Sequence, residues 1–129
     1  MITVRVEAKK SPKHGNGLFA LDPVPKNTIV YYFNPEVDQS IDLAQATPAQ
    51  IHFGYVCRLK PKTLTICGDL ARWWNFSDSE SETNTAESEA ILNGEPVIVA
   101  TKDIAVGEEL LICQESDVLC SQKLGKAKS

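Results

Sequence analysis

Asn93-Gly94 lies between two apolar runs, Ala90-Ile91-Leu92 and Pro96-Val97-Ile98-Val99-Ala100. Asn-Gly takes the positive φ angles of a tight hairpin turn at little cost, so the stretch predicts two antiparallel strands. The rest of the chain agrees with a β-rich fold. Ile2, Val4, Val6 and Ala8 alternate with Thr3, Arg5 and Glu7, the period of a half-buried strand. Ser11 to Gly17 reads as a loop, and Leu18-Phe19-Ala20-Leu21 as a short buried strand. Asp22 to Asn27 is turn material, and Thr28 to Phe33 is β-branched and aromatic. Thr63 to Cys67 and Glu109 to Cys113 complete the predicted strands.

Helix signals are brief. Thr47-Pro48-Ala49-Gln50 combines a capping residue, proline at the first helical position and glutamine three after the cap. It predicts a helix from about Pro48 to His52, ended by Gly54. Asp69 to Trp74 is long enough for one helical turn. Ser77 to Glu89 carries Asp78, Glu80, Glu82, Glu87 and Glu89 with no basic residue, and reads as a solvated loop or a rim for cationic substrate.

Two segments match at a separation of 80 residues. Ala20, Val24, Asn27 and Val30 have the spacing of Ala100, Ile104, Gly107 and Leu110. Each reads as strand, apolar turn residue, turn asparagine or glycine, strand. Such a pair predicts several small sheets rather than one wound sheet.

The 129 residues carry 13 Lys+Arg against 17 Asp+Glu, a net charge of −4. That length suits one domain. The charge argues against a general binder of phosphate backbones and suits a basic partner, so direct nucleic-acid binding is not expected. No apolar run of membrane-spanning length occurs, and Met1 to Arg5 lacks the layout of an export signal. Cys57, Cys67, Cys113 and Cys120 form no C-x-x-C pair, so no metal site is expected and the thiols read as reduced. The expected location is cytoplasmic, or nuclear in a eukaryotic host, and not secreted.

Four segments stand out chemically. The glycines of His14-Gly15-Asn16-Gly17 allow close backbone approach to a ligand, but the loop enters a strand and so fails the dinucleotide pattern. Arg72-Trp73-Trp74-Asn75-Phe76 holds both tryptophans beside an amide, either a core anchor with a capping asparagine or the wall of a purine pocket. Tyr31-Tyr32-Phe33 sends Tyr31 and Phe33 to one face of a strand and Tyr32 to the other. Glu108 and Glu109 are adjacent on a strand, so they point apart and form no catalytic dyad; they read as solvated turn residues. Only His14 and His52 are available as histidine bases, and no H-E-x-x-H, Walker loop or G-x-S-x-G elbow occurs.

Taken in order, these segments resemble the SET domain. Lys9-Lys10-Ser11-Pro12 with Gly15-Asn16-Gly17 and Leu18-Phe19-Ala20 opens the likeness. Gly68-Asp69-Leu70-Ala71-Arg72-Trp73-Trp74-Asn75 resembles G-N-x-x-R-F-x-N-H-S, and Asn84 resembles the asparagine of the following P-N. Ile98 to Leu110 resembles I-x-A-x-R-D-I-x-x-G-E-E-L. The likeness spans about residues 4 to 114. It implies a mainly β fold of several small curved sheets with short helices and a C-terminal pseudoknot. The expected SET domain is residues 1–120, followed by a flexible basic tail at 121–129.

The resemblance further implies S-adenosylmethionine as cofactor and a lysine-containing basic protein or peptide, histone-like, as substrate. Gly15, Asn16 and Gly17 would line the methionine end, and Arg72, Trp73, Asn75 and Phe76 the rest of the pocket. The substrate lysine would enter a tyrosine-lined channel from the opposite side. Some positions depart from the family. Phe76 stands for the histidine of N-H-S, Thr83 for the proline of P-N, and three extra residues precede Asn84. Ile112 occupies a frequent tyrosine position, and the tyrosine after G-E-E-L falls at Gln114. Tyr31 and Tyr32 are the candidate replacements. The reading is a protein-lysine methyltransferase, slow or atypical; the alternative is an inactive SET module that binds a basic peptide or partner.

Overall fold

The computed structural model describes residues 1–13, 15–77, 79 and 81–112. The Gln114 position and the tail at 121–129 lie outside them. Among the described residues, ten short strands form three sheets, joined by short helical turns.

The first sheet is a hairpin of β1 (Val6–Lys10) and β2 (Asn16–Ala20). The sequence places a loop through Gly17, yet pairing starts at Asn16 opposite Lys10. The N-terminal alternation does not form one continuous strand: Ile2 instead makes a separate bridge to Tyr31.

The second sheet holds β4 (Gln39–Asp42), β6 (Thr63–Ile66) and β5 (Gly54–Tyr55), in that order. Between β4 and β5 lies α1 (Pro48–His52). Its capping box is formed by Thr47 and Gln50, as the residue pattern requires. Val56 and Leu64 are fully buried here, with Ile51 packed against them.

The third sheet runs β3 (Ile29–Tyr31), β9 (Glu95–Ala100), β8 (Thr85–Leu92), β10 (Leu111–Ile112), β7 (Asn75–Phe76). The Asn93-Gly94 turn joins β8 and β9, with φ +56° and +85°. β8 begins eight residues after Ser77, so Thr85 to Glu89 is strand and not loop. The reason is the burial of Thr83, Asn84 and Thr85 against the C-terminal strand.

β10 is parallel to both neighbours and lies between β7 and β8. The connection from β7 to β8 therefore crosses it, and this is the pseudoknot. Asn84 locks the crossing. Its Nδ2 donates to the Glu109 carbonyl and its Oδ1 accepts from the Leu111 N–H, each at 2.8 Å. One buried carboxamide thereby does what a pair of strand peptides would do.

The 80-residue match is a structural pair. Val24 and Ile104 exchange both backbone hydrogen bonds at 2.8 Å. Asn27 N–H donates to the Ala100 carbonyl, and Gly107 N–H donates to the Ala20 carbonyl, again at 2.8 Å. Asn27 and Gly107 share a left-handed conformation, φ +75° and +83°. The two segments cross as approximate two-fold mates. Val24, Ile104, Ala20, Ala100, Val30 and Leu110 are all buried in the larger core.

Candidate functional site

A 3₁₀ turn, Leu70–Trp73, opens the segment that builds the site. Asp69 caps it by accepting from the Ala71 N–H at 3.0 Å. Asn75 is thus released from the capping role its position suggests. Beyond the turn the chain is extended, so consecutive side chains alternate. Asn75 faces the β1–β2 hairpin, whereas Trp74 and Phe76 line a pocket on the other side.

On the first side is a polar corner. Asn75 Nδ2 donates to the Asn16 carbonyl at 3.1 Å and to Glu109 Oε2 at 2.9 Å. Ser11 Oγ donates to Glu109 Oε1 at 2.7 Å. Gly17 sits against this group: a Cβ there would lie 2.8 Å from Glu109 Cδ and 3.0 Å from Asn75 Nδ2. Gly15, at φ +51°, has open space where a side chain would project. Glu109 is therefore no solvated turn residue. Alternation separates it from exposed Glu108 and delivers it to Ser11 and Asn75.

The pocket on the second side holds about 430 Å³, its open mouth included. Tyr31, Tyr55, Cys67, Trp74 and Phe76 line it, with Phe53 and Arg72 beside them. Tyr31 meets Tyr55 and Trp74 edge to face, at 5.7 and 5.9 Å between ring centres. The Arg72 guanidinium lies 4.4 Å from the centre of the Phe53 ring and 5.8 Å from that of Trp73. Trp74 Nε1 is buried and has no acceptor among the described residues.

Two buried carboxylates stand behind the tyrosines. Tyr31 OH donates to Asp38 Oδ2 at 3.0 Å. Tyr55 OH donates to Glu95 Oε1, and Thr65 Oγ1 (2.7 Å) and Lys60 Nζ (2.8 Å) fill Oε2. Asp38 also accepts from the Asn34 and Gly68 N–H groups and pairs with the amino group of Met1. Burial foremost, then the Cys67 thiol, Tyr55 and Asp38, pushes the Tyr31 phenol far above its ordinary range. Burial and the Glu95 carboxylate do the same to Tyr55. Burial also raises the Cys57 thiol.

The candidates from the sequence divide accordingly. Gly15, Asn16, Gly17 and Asn75 gather at the corner, while Arg72, Phe76 and Tyr31 belong to the pocket. Trp73 packs edge-on against Phe53 at 5.2 Å, so the two tryptophans do not form one flat wall. Tyr32 points away, its hydroxyl 4.0 Å from the Met1 sulfur. Tyr55, Asp38 and Glu95 are site residues that sequence reasoning missed. Of the acidic stretch, Glu82 pairs with Lys13 and Glu87 with Arg58.

The SET domain family model matches residues 15–113. The chain therefore belongs to the SET domain family. Among solved structures it is similar to a Plasmodium falciparum protein assigned as a histone methyltransferase, at 20% identity and TM-score 0.61, covering 87% of this chain and 94% of that one. It is similar to the methyltransferase domain of human PR domain-containing protein 2, at 23% identity and TM-score 0.62, covering 90% and 81%. It also matches part of a humanized mutant of the Chaetomium thermophilum Polycomb Repressive Complex 2, bound to the inhibitor GSK126. There the identity is 24% and the TM-score 0.63, covering 85% of this chain and 15% of that one. No curated protein matches the chain by sequence.

Proposed function

We propose that the chain is an S-adenosylmethionine-dependent protein-lysine methyltransferase acting on a basic protein or peptide. One observation carries the reading: a single extended segment presents Asn75 to the glycine corner and Trp74 and Phe76 to a tyrosine-lined pocket. That arrangement suits two ligands approaching one partition from opposite faces. The residues present fit the cofactor. Gly15 is open above its backbone, where a ligand can approach closely. Gly15, Asn16, Gly17 and Asn75 would hold it on their face of the partition, while Arg72 and Phe76, expected from the sequence to share that role, lie on the pocket face that the substrate would approach.

When bound, the cofactor supplies a sulfonium methyl group for in-line attack by an amine. A free lysine ammonium has pKa about 10.4, so it must lose a proton before it can attack. An apolar, aromatic wall favours the neutral amine by desolvation. The protein otherwise contributes alignment and exclusion of water.

A second reading is an inactive module that binds a basic peptide, favoured by Phe76 and Gln114 at positions where the family has histidine and tyrosine. Calorimetric titration with S-adenosylmethionine, followed by methyl transfer to a panel of basic peptides, separates the two. Binding with transfer is expected. Binding without transfer selects the inactive module, and no binding at millimolar cofactor overturns the enzyme reading.

A further inference from the structure

Arg72 is the one charged side chain among the described residues that line the pocket, and it is exposed. Its place is fixed from two sides. Its backbone N–H donates to the Asp69 carbonyl at 3.1 Å inside the 3₁₀ turn. Its guanidinium lies over the Phe53 ring, and Phe53 is held in turn by Trp73 edge-on and by the Cys67 N–H, which donates to its carbonyl at 3.3 Å. The ring contacts hold the charge in position without supplying a hydrogen-bond acceptor.

The carboxylates around the pocket are committed elsewhere. Asp69 accepts from the Ala71 N–H with one oxygen and from the Ile2 N–H with the other. Asp38 takes Tyr31 and the Met1 amino group, and Glu95 takes Tyr55, Thr65 and Lys60. No ion pair joins Arg72 to a carboxylate among the described residues. A planar fork of N–H donors therefore stands at the pocket with its charge unmatched.

We infer that Arg72 is a specificity-determining residue that pairs with a carboxylate side chain within two residues of the target lysine. The inference deepens the methyltransferase reading and rests on it for the lysine that enters the pocket. It narrows the substrate: the peptide may be basic as a whole, but its lysine has an acidic neighbour. An extended peptide advances about 3.3 Å per residue, so such a neighbour lies within about 7 Å of the lysine along the chain. The fork matches a carboxylate in two parallel hydrogen bonds. The carboxylate also offsets the repulsion between Arg72 and an incoming ammonium, since like charges brought together at an interface are costly.

The experiment uses the full chain and peptides blocked at both ends, so that no terminal carboxylate is present. Each peptide carries one lysine in an alanine and arginine background, with Glu or Gln at position −2, −1, +1 or +2 from it. Affinity is read by fluorescence anisotropy without cofactor, and kcat/KM by methyl transfer with it. The wild type is expected to favour Glu over Gln about three- to tenfold at one or more positions, and about 0.5 M salt to shrink that ratio. Arg72→Gln is expected to bring the ratio to about one. A merely structural role would weaken Glu and Gln peptides alike and leave the ratio standing. If Arg72→Gln does not fold, Arg72→Lys decides the matter: it keeps the charge without the fork, so the ratio must fall. No preference for Glu at any position in the wild type, or an unchanged ratio in a folded variant, overturns the inference. Preference in binding without methyl transfer sinks only the methyltransferase reading, and transfer without the preference sinks only this inference.

Discussion

Glu109 accepts from Asn75 across 2.9 Å while its other oxygen accepts from Ser11 across 2.7 Å. One carboxylate thus ties the hairpin loop, the segment after the 3₁₀ turn and the C-terminal arm into a single corner. Glu109→Ala removes two acceptors from partly buried donors, at a cost of about 1–3 kcal/mol. A fall of about 4–8 °C in melting temperature for each kcal/mol is expected in thermal unfolding followed by circular dichroism. Cofactor affinity is expected to fall with it, whereas Glu108→Ala, which loses only an exposed hydrogen bond from the Ala105 N–H, is expected to cost less stability and to leave affinity unchanged.

Gly17→Ala attacks the same corner from the other side. The added methyl group meets the Glu109 carboxylate and the Asn75 amide, both already held by hydrogen bonds. Overpacking of this kind costs about 1–3 kcal/mol. Gly15→Ala meets open space, and its cost comes from the left-handed φ alone, about 1–2 kcal/mol. Calorimetry is expected to show the larger loss of cofactor binding for Gly17→Ala, because only that change shifts the Asn75 amide.

The two-fold mates respond as a pair. Ile104→Ala empties a fully buried site and is expected to cost about 2–5 kcal/mol in urea unfolding. Val24→Ala is smaller in the same sense. Their effects are expected to be non-additive, since the two residues share both backbone hydrogen bonds. Asn27→Gly, which matches its mate Gly107 in conformation, is expected to be tolerated, and Gly107→Val is not.

This symmetry was the long-range feature most plainly legible in the residues, because the same turn chemistry had to recur where the backbone repeats. The Asn93-Gly94 hairpin and the Thr47–Gln50 cap were legible because each is decided within four residues. The pocket was not. Tyr55 follows Gly54, which reads as a helix stop, and Glu95 follows a turn, where a charge reads as solvated. Their meeting spans 40 residues of chain and depends on burial that no local pattern records. Glu109 hid for the same reason, with partners 34 and 98 residues away.

Gln114 tests the departure that matters most for catalysis. The resemblance places a tyrosine there, so Gln114→Tyr restores a phenol at the family's position. If the missing phenol limits the rate, transfer to a basic peptide rises by about two to three orders of magnitude, the range a single stabilising donor contributes. Cofactor affinity is expected to change little, so single-turnover methyl transfer at saturating cofactor is the decisive measurement. No gain in a variant that binds cofactor would show that the missing phenol does not limit transfer.

Alkaline stability reports on those two phenols. In the unfolded chain each loses its proton near the ordinary value of 10.0, while burial holds both protonated in the fold. Above pH 10 the unfolded state therefore binds fewer protons than the folded one, and stability falls as pH rises. Below about pH 9 the phenols contribute almost no pH dependence. Well above pH 10 the slope approaches about 1.4 kcal/mol per pH unit for each phenol, about 2.8 for the pair. Urea midpoints measured from pH 9 to pH 11 are expected to drop more steeply for the wild type than for Tyr55→Phe. The difference between the two slopes isolates one phenol from the titrating lysines common to both. Equal slopes would mean that Tyr55 is open to water in solution, contrary to its bond with Glu95.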